Sequence, residues 1–527
     1  MPSRPTRVIS IEFPLGGVDK TLGYQHQRPF TTPLALNIFP IDPPSGRQRG
    51  GVRPVLKSLA TIGAPYGWSP VSYLDSGSKN GILVVNANGT HRSLDGVTWT
   101  ELITTNPASD FASCTYYNGY IYQAVSGSNC RQATVTGGSE ANLSVSYYDP
   151  PTNSLPKGTA PTNCGLVWVH QDRLALAGKS DAGHQLFMSA VGDATNWDYT
   201  DITAGGAWTN TGTEGGQIGH LIVAAINHNN EVSIIGSPRS MYAVVGNPRV
   251  GGTRRISHSI GPLMQNAWCK GIDTNGNNST YMMTYDGLYM IPAGDFTQVI
   301  KLSRNKIPDE LIGINPGASD KVAIGYDSRW PGLFITVDYN SGNDVNYFYH
   351  IPTDSYWPLS LPITTHLYPT FPSLQTAQRS AILPIGSGGS VRQFDNAENP
   401  GGSNEEFDSY VLLGPIMLGP AGTEGMLIEI TVALAKDSEN LNWEIYGGDT
   451  VEEAYQKAVA NTSPDFTGTA WSYSSTSPAR YLNYMQHPRV SGKAFFVRIE
   501  DVSNERWLME GIECKIQPAG NMRRVKG

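Results

Sequence analysis

The sequence lacks the patterns that mark several large classes of protein. No run of about 18 apolar residues occurs, so no membrane-spanning helix and no membrane insertion is predicted. The polar, proline-containing start does not have the apolar core of a secretory signal. The five cysteines are widely spaced and include no CxxC pair, which favours reduced, buried thiols over a disulfide framework or a zinc site. We therefore expect a protein assembled in a cytosol.

Charge is also scarce and is not predominantly positive. Only 16% of the residues are charged, and the formal net charge is −8. An acidic chain is not a nucleic-acid binder over its whole surface. The charge balance remains compatible with a channel through which DNA passes without strong phosphate binding or sequence recognition.

Catalytic and ligand-binding motifs are missing as well. HEXXH, GxSxG, the P-loop and GxGxxG do not occur, and the histidines lack the spacing of a helical metal site. The stretch 273–278 has oxygen ligands at alternating positions, but the twelfth position is Thr284 rather than a glutamate, so a turn is favoured over a calcium loop. We assign no residue a catalytic, cofactor-binding or metal-binding role, and we expect no enzyme activity and no cofactor.

The chain is instead rich in the residues of short strands and tight turns. Glycine (57 residues), proline (36), tyrosine (26) and tryptophan (11) are abundant. Apolar alternation and short apolar runs predict strands at 81–86, 112–117, 120–125, 166–170, 173–177, 185–189, 221–226, 231–235, 241–245, 280–284, 287–291, 322–326, 333–338, 346–351 and 391–394. Hairpin turns are predicted at 118–119, 228–230, 286–287 and 341–342, and a short helical turn at 308–312.

The recurrence of these units predicts the fold. Strands preceded by a turn residue recur at intervals of roughly 30 to 60 residues, which brackets the length of a four-stranded propeller blade. We predict an all-β protein: a β-propeller of six or seven blades over residues 55–398, with a single large sandwich as the alternative. Residues 1–54 are rich in proline and predict an extended N-terminal arm.

The composition changes after residue 396. Residues 397–404 have the glycine, proline and asparagine content of a linker. Residues 405–527 predict a separate, sandwich-like β domain with strands at 427–434, 442–446, 494–499 and 511–516. One short helix is predicted at 450–460, with Thr450 as N-cap and Glu453 completing a capping box.

Three smaller patterns have both a structural and a functional interpretation. Residues 93–99 (SLDGVTW) resemble the Asp-box hairpin of sialidase-like propellers, although a plain hairpin is the favoured interpretation. The basic pair Arg254-Arg255 is interpreted as solvated surface. The basic stretch 523–526 is either solvated surface or a tail that contacts a partner or nucleic acid.

The order of several motifs resembles a family of virion proteins, the tail nozzle and packaged-DNA stabilisation proteins of short-tailed bacteriophages. The matching stretches are 31–37 (TTPLALN), 46–54 (GRQRGGVRP), 172–178 (DRLALAG), 189–198 (SAVGDATNWD), 236–246 (GSPRSMYAVVG), 260–261 (IG), 285–291 (YDGLYMI), 506–512 (RWLMEGI) and 518–520 (PAG). The chain departs from the family in long Gly/Ser-rich loops at 126–146 and 204–219, which are candidates for gating a channel or docking fibres.

The resemblance implies a structural, non-enzymatic tail subunit. It implies a homo-oligomeric ring, a hexamer in the family, that lies below the portal and adaptor in the virion tail after assembly in the host cytoplasm. Such a ring continues the DNA channel, retains packaged DNA, and meets an adaptor protein and a tail fibre or spike. The alternative function is a glycan-binding or sialidase-like propeller that acts on host surface carbohydrate, with arginines and a carboxylate at the propeller mouth.

The basic stretch 47–53 carries one further expectation. It is interpreted either as a solvated loop or as a contact at a subunit or blade boundary. On the second interpretation, deletion of residues 1–54 lowers assembly more than it lowers folding of the propeller.

Overall fold

The computed structural model shows a chain built almost entirely of β-strands. It describes residues 6–21, 27–41, 49–50, 55–61, 65–67, 73–74, 80–86, 89–93, 98–104, 112–135, 140–143, 147–148, 155–210, 218–302, 306–316, 319–328, 330–340, 342, 344–360, 365–367, 383–385, 390–395, 404–405, 408–418, 423–434, 441–470, 483–501 and 507–518.

The middle of the chain forms successive antiparallel sheets, which are the blades of a β-propeller. Blade 1 contains Pro65–Gly67, Tyr73–Leu74, Asn80–Asn86, Gly89–Ser93 and Trp99–Ile103. Blade 2 contains Ala112–Tyr117, Tyr120–Val125, Arg131–Thr134 and Ala141–Asn142. A small hairpin, Tyr147–Tyr148 with Leu155–Pro156, precedes blade 3. Blade 3 contains Cys164–His170, Arg173–Lys179, Ala182–Met188 and Trp208–Thr209.

The remaining blades repeat the same meander. Blade 4 contains Ala224–Asn227, Val232–Ser237, Ser240–Val245 and Thr253–Ser257, with the short helix Pro248–Gly251 before its last strand. Blade 5 contains Trp268–Ile272, Asn278–Thr284, Gly287–Ile291 and Ile300–Lys301. Blade 6 contains Lys321–Asp327, Gly332–Asp338, Val345–His350 and Ser355–Leu359. Blade 7 contains Thr365–Leu367, Leu383–Ile385, Ser390–Asp395, Val55–Thr61 and Asn404–Glu405.

Seven blades are therefore present in the described residues, within the predicted range of six or seven. The strand Val55–Thr61, which precedes blade 1 in the sequence, pairs with Ser390–Asp395 and so completes the last blade. This pairing joins the two ends of the propeller segment. Asn404, from the predicted linker, pairs with Lys57 in the same sheet, whereas residues 397–403 lie outside the described residues.

The faces of adjacent blades pack through separate apolar clusters. The strand Cys164–His170 shows how one sequence run serves two clusters: Leu166 and Trp168 pack in the cluster shared with blade 4, and Val167 packs in the cluster shared with blade 2. Because both faces of a blade are buried, its inner strands show nearly continuous apolar runs rather than strict alternation. This is why the middle strands of the blades could be located from sequence.

The hairpin turns follow the expected chemistry. Asn118 and Gly119 both have positive φ, 48° and 83°, as the two-residue turn between Ala112–Tyr117 and Tyr120–Val125 requires. The stretch 273–277 is also a turn, as predicted: the Asp273 carboxylate accepts the amides of Asn275 and Asn277. The predicted helical turn near residue 310 is the 3-10 helix Asp309–Leu311.

The C-terminal region is a sandwich of two sheets, as predicted. One sheet has seven strands: Arg7–Glu12, Pro40–Ile41, Arg49–Gly50, Gly425–Leu434, Asn483–Gln486, Val490–Gly492 and Met509–Pro518. The other has five: Leu34–Leu36, Tyr410–Met417, Leu441–Gly448, Phe466–Ala470 and Ala494–Asp501. The predicted helix is Val451–Ala460; Thr450 caps it by accepting the Glu453 amide at 3.0 Å.

The N-terminal segment, predicted as an extended arm, supplies strands to both sheets of this sandwich. Arg7–Glu12 pairs with Met509–Pro518, and Leu34–Leu36 pairs with Tyr410–Met417. Residues that follow each of these strands also join the sandwich to blade 6: Phe13 stacks on Trp357 and Phe39 on Trp330, with ring centroids 5.6 and 5.1 Å apart.

This burial changes the expectation for a deletion of residues 1–54. Phe13 and Phe39 are fully buried in the largest apolar cluster, which contains residues of the sandwich and of blade 6. A deletion would therefore remove core residues, so we now expect a loss of folding before any specific loss of assembly. Residues 51–54 and most of the basic stretch 47–53 lie outside the described residues; within it, Arg49–Gly50 is a strand of the sandwich.

All five cysteines are buried and free, as the sequence predicted. Burial raises the pKa of the Cys514 and Cys164 thiols to about 12. Neither is therefore a thiolate at neutral pH. No helix in the described part of the chain has the length and apolar character needed to cross a bilayer.

Candidate docking surface

Three motifs that are distant in sequence meet at one end of blades 3 and 4. The motif 172–178 begins the second strand of blade 3, and the motif 189–198 follows its third strand. The motif 236–246 ends at the corresponding end of blade 4. His170 connects the two blades here: its Nδ1 bonds the Ser233 hydroxyl and its Nε2 bonds the Gly246 carbonyl. The fold thus brings together residues that the sequence separates by about 70 positions.

Arg173 fixes the loop 189–207, which we call the Ile202 loop. The Arg173 side chain is buried, and its guanidinium donates to the carbonyls of Ser189, Ala204 and Gly206 at 2.8, 2.6 and 2.5 Å. Within the described residues these bonds all go to backbone carbonyls of this one loop. Burial and the nearby Arg249 guanidinium lower the pKa of Arg173. A buried cation satisfied by carbonyls holds the loop in one conformation, because releasing the loop would leave the charge unpaired.

The loop is also stiffened by a repeated local motif. Within the Ile202 loop the sequence Asp-x-Thr occurs three times, starting at Asp193, Asp198 and Asp201. In each case the aspartate carboxylate accepts the amide of the residue two positions later, at 2.9, 2.9 and 3.0 Å. Such Asx turns replace backbone ladder bonds in irregular segments. The loop therefore has regular internal bonding although it is neither helix nor strand.

Further contacts attach the loop to its surroundings. Trp197 is fully buried, and its amide donates to the Lys157 carbonyl at 2.7 Å. The Lys157 ammonium lies 3.0 Å from the Asp193 carboxylate. On the blade 4 side, Asn247 donates to the Ala204 carbonyl at 2.8 Å, and Arg249 donates to the Ala207 carbonyl. The loop is thus held by blade 3, by the segment before it and by the short helix of blade 4.

This rigid scaffold exposes three apolar side chains, which we call the docking surface. Ile202 is 85% exposed, Val250 is 82% exposed and Val191 is 46% exposed. They belong to neighbouring segments, since the Val191 amide donates to the Gly205 carbonyl and the helix that carries Val250 bonds residues 204 and 207. Single exposed apolar residues are ordinary, but a group of them on a fixed loop is typical of an interaction site.

Carboxylates lie around the docking surface. Asp172, at the turn before Arg173, is exposed, and Asp198 and Asp201 are half-buried. Hydrogen bonds from the Thr203 amide and hydroxyl lower the pKa of Asp201, so it is ionised at neutral pH. Of the two neighbouring cations, Arg173 is buried, and Arg249 is half-buried, donates to the Ala207 carbonyl and helps to lower the pKa of Asp201. The surface therefore has an apolar centre with an acidic rim.

Sequence reasoning did not single out Ile202 or Val250. It interpreted 204–219 as a Gly/Ser-rich loop and treated residues 189–198 only as a family motif. The usable signal was the triple Asp-x-Thr pattern, which indicates an ordered loop, with one large apolar residue at 202 inside a polar run. The other loop in which the chain departs from the nozzle family, 126–146, contains two strands of blade 2.

The remaining singled-out residues do not form a common site. His170 and His228 are buried between blades, and His228 bonds the Thr280 hydroxyl. Ser93 and Trp99 are opposite each other in a hairpin, while residues 94–97 lie outside the described residues. Among the described residues, no group of three His, Cys, Asp or Glu side chains is arranged to hold a metal ion.

The basic clusters have different locations. Arg254 and Arg255 are exposed on the outer strand of blade 4, where Arg255 also bonds the Tyr242 hydroxyl. Among the described residues, the fold brings Arg173 close to Arg249, but the buried Arg173 guanidinium is occupied by backbone carbonyls. It offers no open face to a sugar carboxylate. The stretch 523–526 lies outside the described residues.

Comparison with known proteins gives similarity of structure without similarity of sequence. No family model and no curated protein matches the chain. Virginiamycin B lyase from Staphylococcus aureus, a β-propeller, is 9% identical, with a TM-score of 0.38 over 65% of this chain and 99% of the lyase. YCF48 from Cyanidioschyzon merolae, also a propeller, is 10% identical, with a TM-score of 0.36 over 65% of this chain and 100% of its own.

A third similar structure is longer than this chain. The extracellular domain of a putative hybrid two-component system from B. thetaiotaomicron is 13% identical, with a TM-score of 0.39 over 75% of this chain. The match covers 45% of that domain, so the chain spans less than half of its length. Similarities of this degree carry no argument about function.

Proposed function

We propose that this chain is a structural subunit of a bacteriophage tail ring, and that copies or partner proteins of the ring associate through the docking surface. The observation that carries the proposal is the docking surface itself: exposed Ile202, Val250 and Val191 on a loop whose position is fixed by Arg173. A preformed apolar surface costs little conformational entropy on association. Structural association, rather than chemistry on a small molecule, is the use that such a surface favours.

Two other features support the same proposal. Motifs 172–178, 189–198 and 236–246, which carry the resemblance to nozzle proteins, are the segments that build or support the docking surface. In addition, the aromatic contacts of Phe13 and Phe39 join the sandwich firmly to blade 6. A body of fixed shape is what a closed ring needs, because every copy must repeat the same angle to its neighbour.

The test is the oligomeric state of the purified chain, alone and with its co-purified virion proteins, by mass photometry and cryo-electron microscopy. We expect rings with a central opening wide enough for duplex DNA. The double variant Ile202→Asp/Val250→Asp should shift the population to monomers, since hot-spot residues at the centre of an interface contribute about 2 kcal/mol or more. Its melting temperature should match the parent, because exposed substitutions change stability by at most about 0.5 kcal/mol.

Met485→Asp provides the matched control. Met485 is 59% exposed on the strand Asn483–Gln486 of the sandwich, whereas the docking surface is on blades 3 and 4, and its replacement should leave the rings intact. A chain that stays monomeric under all these conditions and is absent from virions would end the proposal. Equal loss of rings with Met485→Asp would instead indicate that the contact between copies lies on the sandwich.

A further inference from the structure

The docking surface has a charge pattern that a partner must match. Its apolar centre is bordered by the carboxylates of Asp172, Asp198 and Asp201, while Arg173 and Arg249 donate to backbone carbonyls of the loop. A complementary segment must therefore offer apolar side chains for the centre and positive charges for the rim. A segment with carboxylates would place like charges together and would be disfavoured.

One stretch of this chain outside the described residues has that composition. Residues 519–527 (AGNMRRVKG) contain three basic side chains and two larger apolar ones, Met522 and Val525, and no acidic residue. The other basic stretch, 47–53, is partly committed elsewhere, because Arg49–Gly50 pairs with Pro40–Ile41 and with Met509 in the sandwich. The segment 519–527 is therefore the stronger match within the sequence.

Resting on the proposed ring, we infer that residues 519–527 of one copy occupy the docking surface of a neighbouring copy. The last described strand, Met509–Pro518, lies in the sandwich, which is packed on the outer strand of blade 6. The docking surface is on blades 3 and 4, with blade 5 in between. Nine residues span at most about 30 Å when fully extended, which limits how far the segment reaches from Pro518.

In a ring, the separation of the segment from the docking surface within one copy favours contacts between copies. When a donor segment and its acceptor surface lie on different sides of one subunit, each copy can donate to the next, and the contacts close around the axis. The acceptor loop is held by Arg173 and by three Asx turns, so the donor segment alone must lose conformational freedom. The segment then acts as a tether between copies.

The binding experiment uses a fluorescent peptide of residues 515–527. The receptor is the full chain carrying Arg523→Glu, Arg524→Glu and Lys526→Glu, so that its own segment does not compete. We expect saturable binding by fluorescence anisotropy that weakens at least tenfold between 50 and 300 mM NaCl, since exposed charges are screened. Asp198→Asn/Asp201→Asn in the receptor should weaken binding about tenfold, and Ile202→Asp should abolish it.

Two control peptides decide whether recognition is specific. One is the same peptide with Arg523, Arg524 and Lys526 changed to glutamate and Lys515 kept, which should not bind. The other covers residues 44–56 and carries the second basic stretch; it should bind at least tenfold more weakly. Equal affinity for the 44–56 peptide would show that binding depends on net charge alone. Absence of saturable binding of the 515–527 peptide at 1 mM would show that the segment does not dock. Either result overturns the inference.

Assembly of the full chain separates this inference from the proposed function. If the parent forms rings and the charge-reversed chain does not, the proposed function and the inference about residues 519–527 are both supported. If both chains form equally stable rings, the inference is wrong and the ring remains. If the peptide binds with the expected specificity but neither chain enters rings or virions, the segment docks on this surface but the proposed function fails. A circular dichroism spectrum matching the parent confirms that the charge-reversed chain is folded.

Discussion

The outer strand of blade 6 and the outer strand of blade 4 have opposite surroundings. Ser355–Leu359 of blade 6 is apolar, and the N-terminal segment covers it: the Val18 amide donates to the Tyr356 carbonyl and the Asn37 amide to the Pro358 carbonyl, both at 3.0 Å. Thr253–Ser257 of blade 4 pairs on one side only within the described residues, and it exposes Arg254 and Arg255.

The difference shows how this chain treats the edges of its sheets. In blade 6, where the N-terminal segment covers the outer strand, that strand is aromatic and apolar; in blade 4, where no described segment does so, the strand exposes arginines, which discourage unwanted strand pairing. The docking surface departs from this rule, because it is apolar and no described residue covers it. That departure is the reason to interpret it as a contact site.

The largest effect is expected from Trp357→Ala on the covered edge. Trp357 is fully buried, stacks on Phe13 and donates from Nε1 to the Ser355 hydroxyl. Removing a buried tryptophan side chain should lower the free energy of unfolding by about 4 kcal/mol. Chemical denaturation monitored by far-UV circular dichroism measures the change in the free energy of unfolding, because this signal does not depend on the tryptophan that is removed. Met485→Ala on the exposed sandwich face should cost less than about 0.5 kcal/mol, and a comparable loss there would contradict the covered-edge argument.

A smaller but more local effect is expected from Arg173→Met. The substitution removes three charge-assisted hydrogen bonds from the carbonyls of the Ile202 loop and should cost about 3 kcal/mol. Amide hydrogen exchange in residues 189–207 should be faster in the variant than in the parent, and the increase should be larger there than in the strands of blade 3. Arg239→Met is the control, because Arg239 is exposed on a turn of blade 4. Unchanged exchange in the loop of the Arg173 variant would show that Asx turns alone fix it.

The third effect depends on pH and arises next to the covered edge. Burial lowers the pKa of His350 from 6.5 to about 4, and its Nδ1 bonds the Thr353 hydroxyl. The unfolded chain takes up a proton below pH 6.5, whereas the folded chain does so only near pH 4. The neutral imidazole therefore supports stability above pH 6.5, and this contribution is lost as the pH falls toward 4. Between pH 7.5 and 5 the loss should be about 2 kcal/mol.

Other groups titrate over the same range, so the measurement is a difference. Urea denaturation of the parent and of His350→Gln at both pH values isolates the contribution of this residue. The variant should be less stable at pH 7.5 but should lose about 2 kcal/mol less on acidification. Equal losses in both proteins would mean that His350 does not titrate in this range.

Sequence patterns located the strands whose residues pack on both faces of a blade. Tyr120–Val125 and Gly287–Ile291 have the predicted bounds, because apolar periodicity is a local property. Ser355–Leu359 was missed since Pro358 lies within it, and Tyr410–Met417 was missed because it contains Gly414-Pro415. A proline is tolerated in such strands when its position does not need to donate a ladder hydrogen bond.

The parts that could not be predicted depend on contacts between distant segments. The proline-rich start of the chain gives no local sign that Leu34–Leu36 will pair with a strand near residue 411. The docking surface is likewise invisible in a linear pattern, because it needs Arg173, the Ile202 loop and the helix of Val250 to be brought together. The motif resemblance marked these segments but not their common location.

The pairing of Arg7–Glu12 with Met509–Pro518 has a consequence for biosynthesis. The two strands are separated by about 500 residues, so their contact has a very large loop-closure distance. At the usual speed of ribosomes, the first strand waits roughly 25 to 100 s for its partner to be translated. The propeller blades can form as they emerge, whereas the sandwich must be the last part to fold. Until then Ile9 and Ile11 have no sheet to cover them, which makes this early strand a natural client for chaperones.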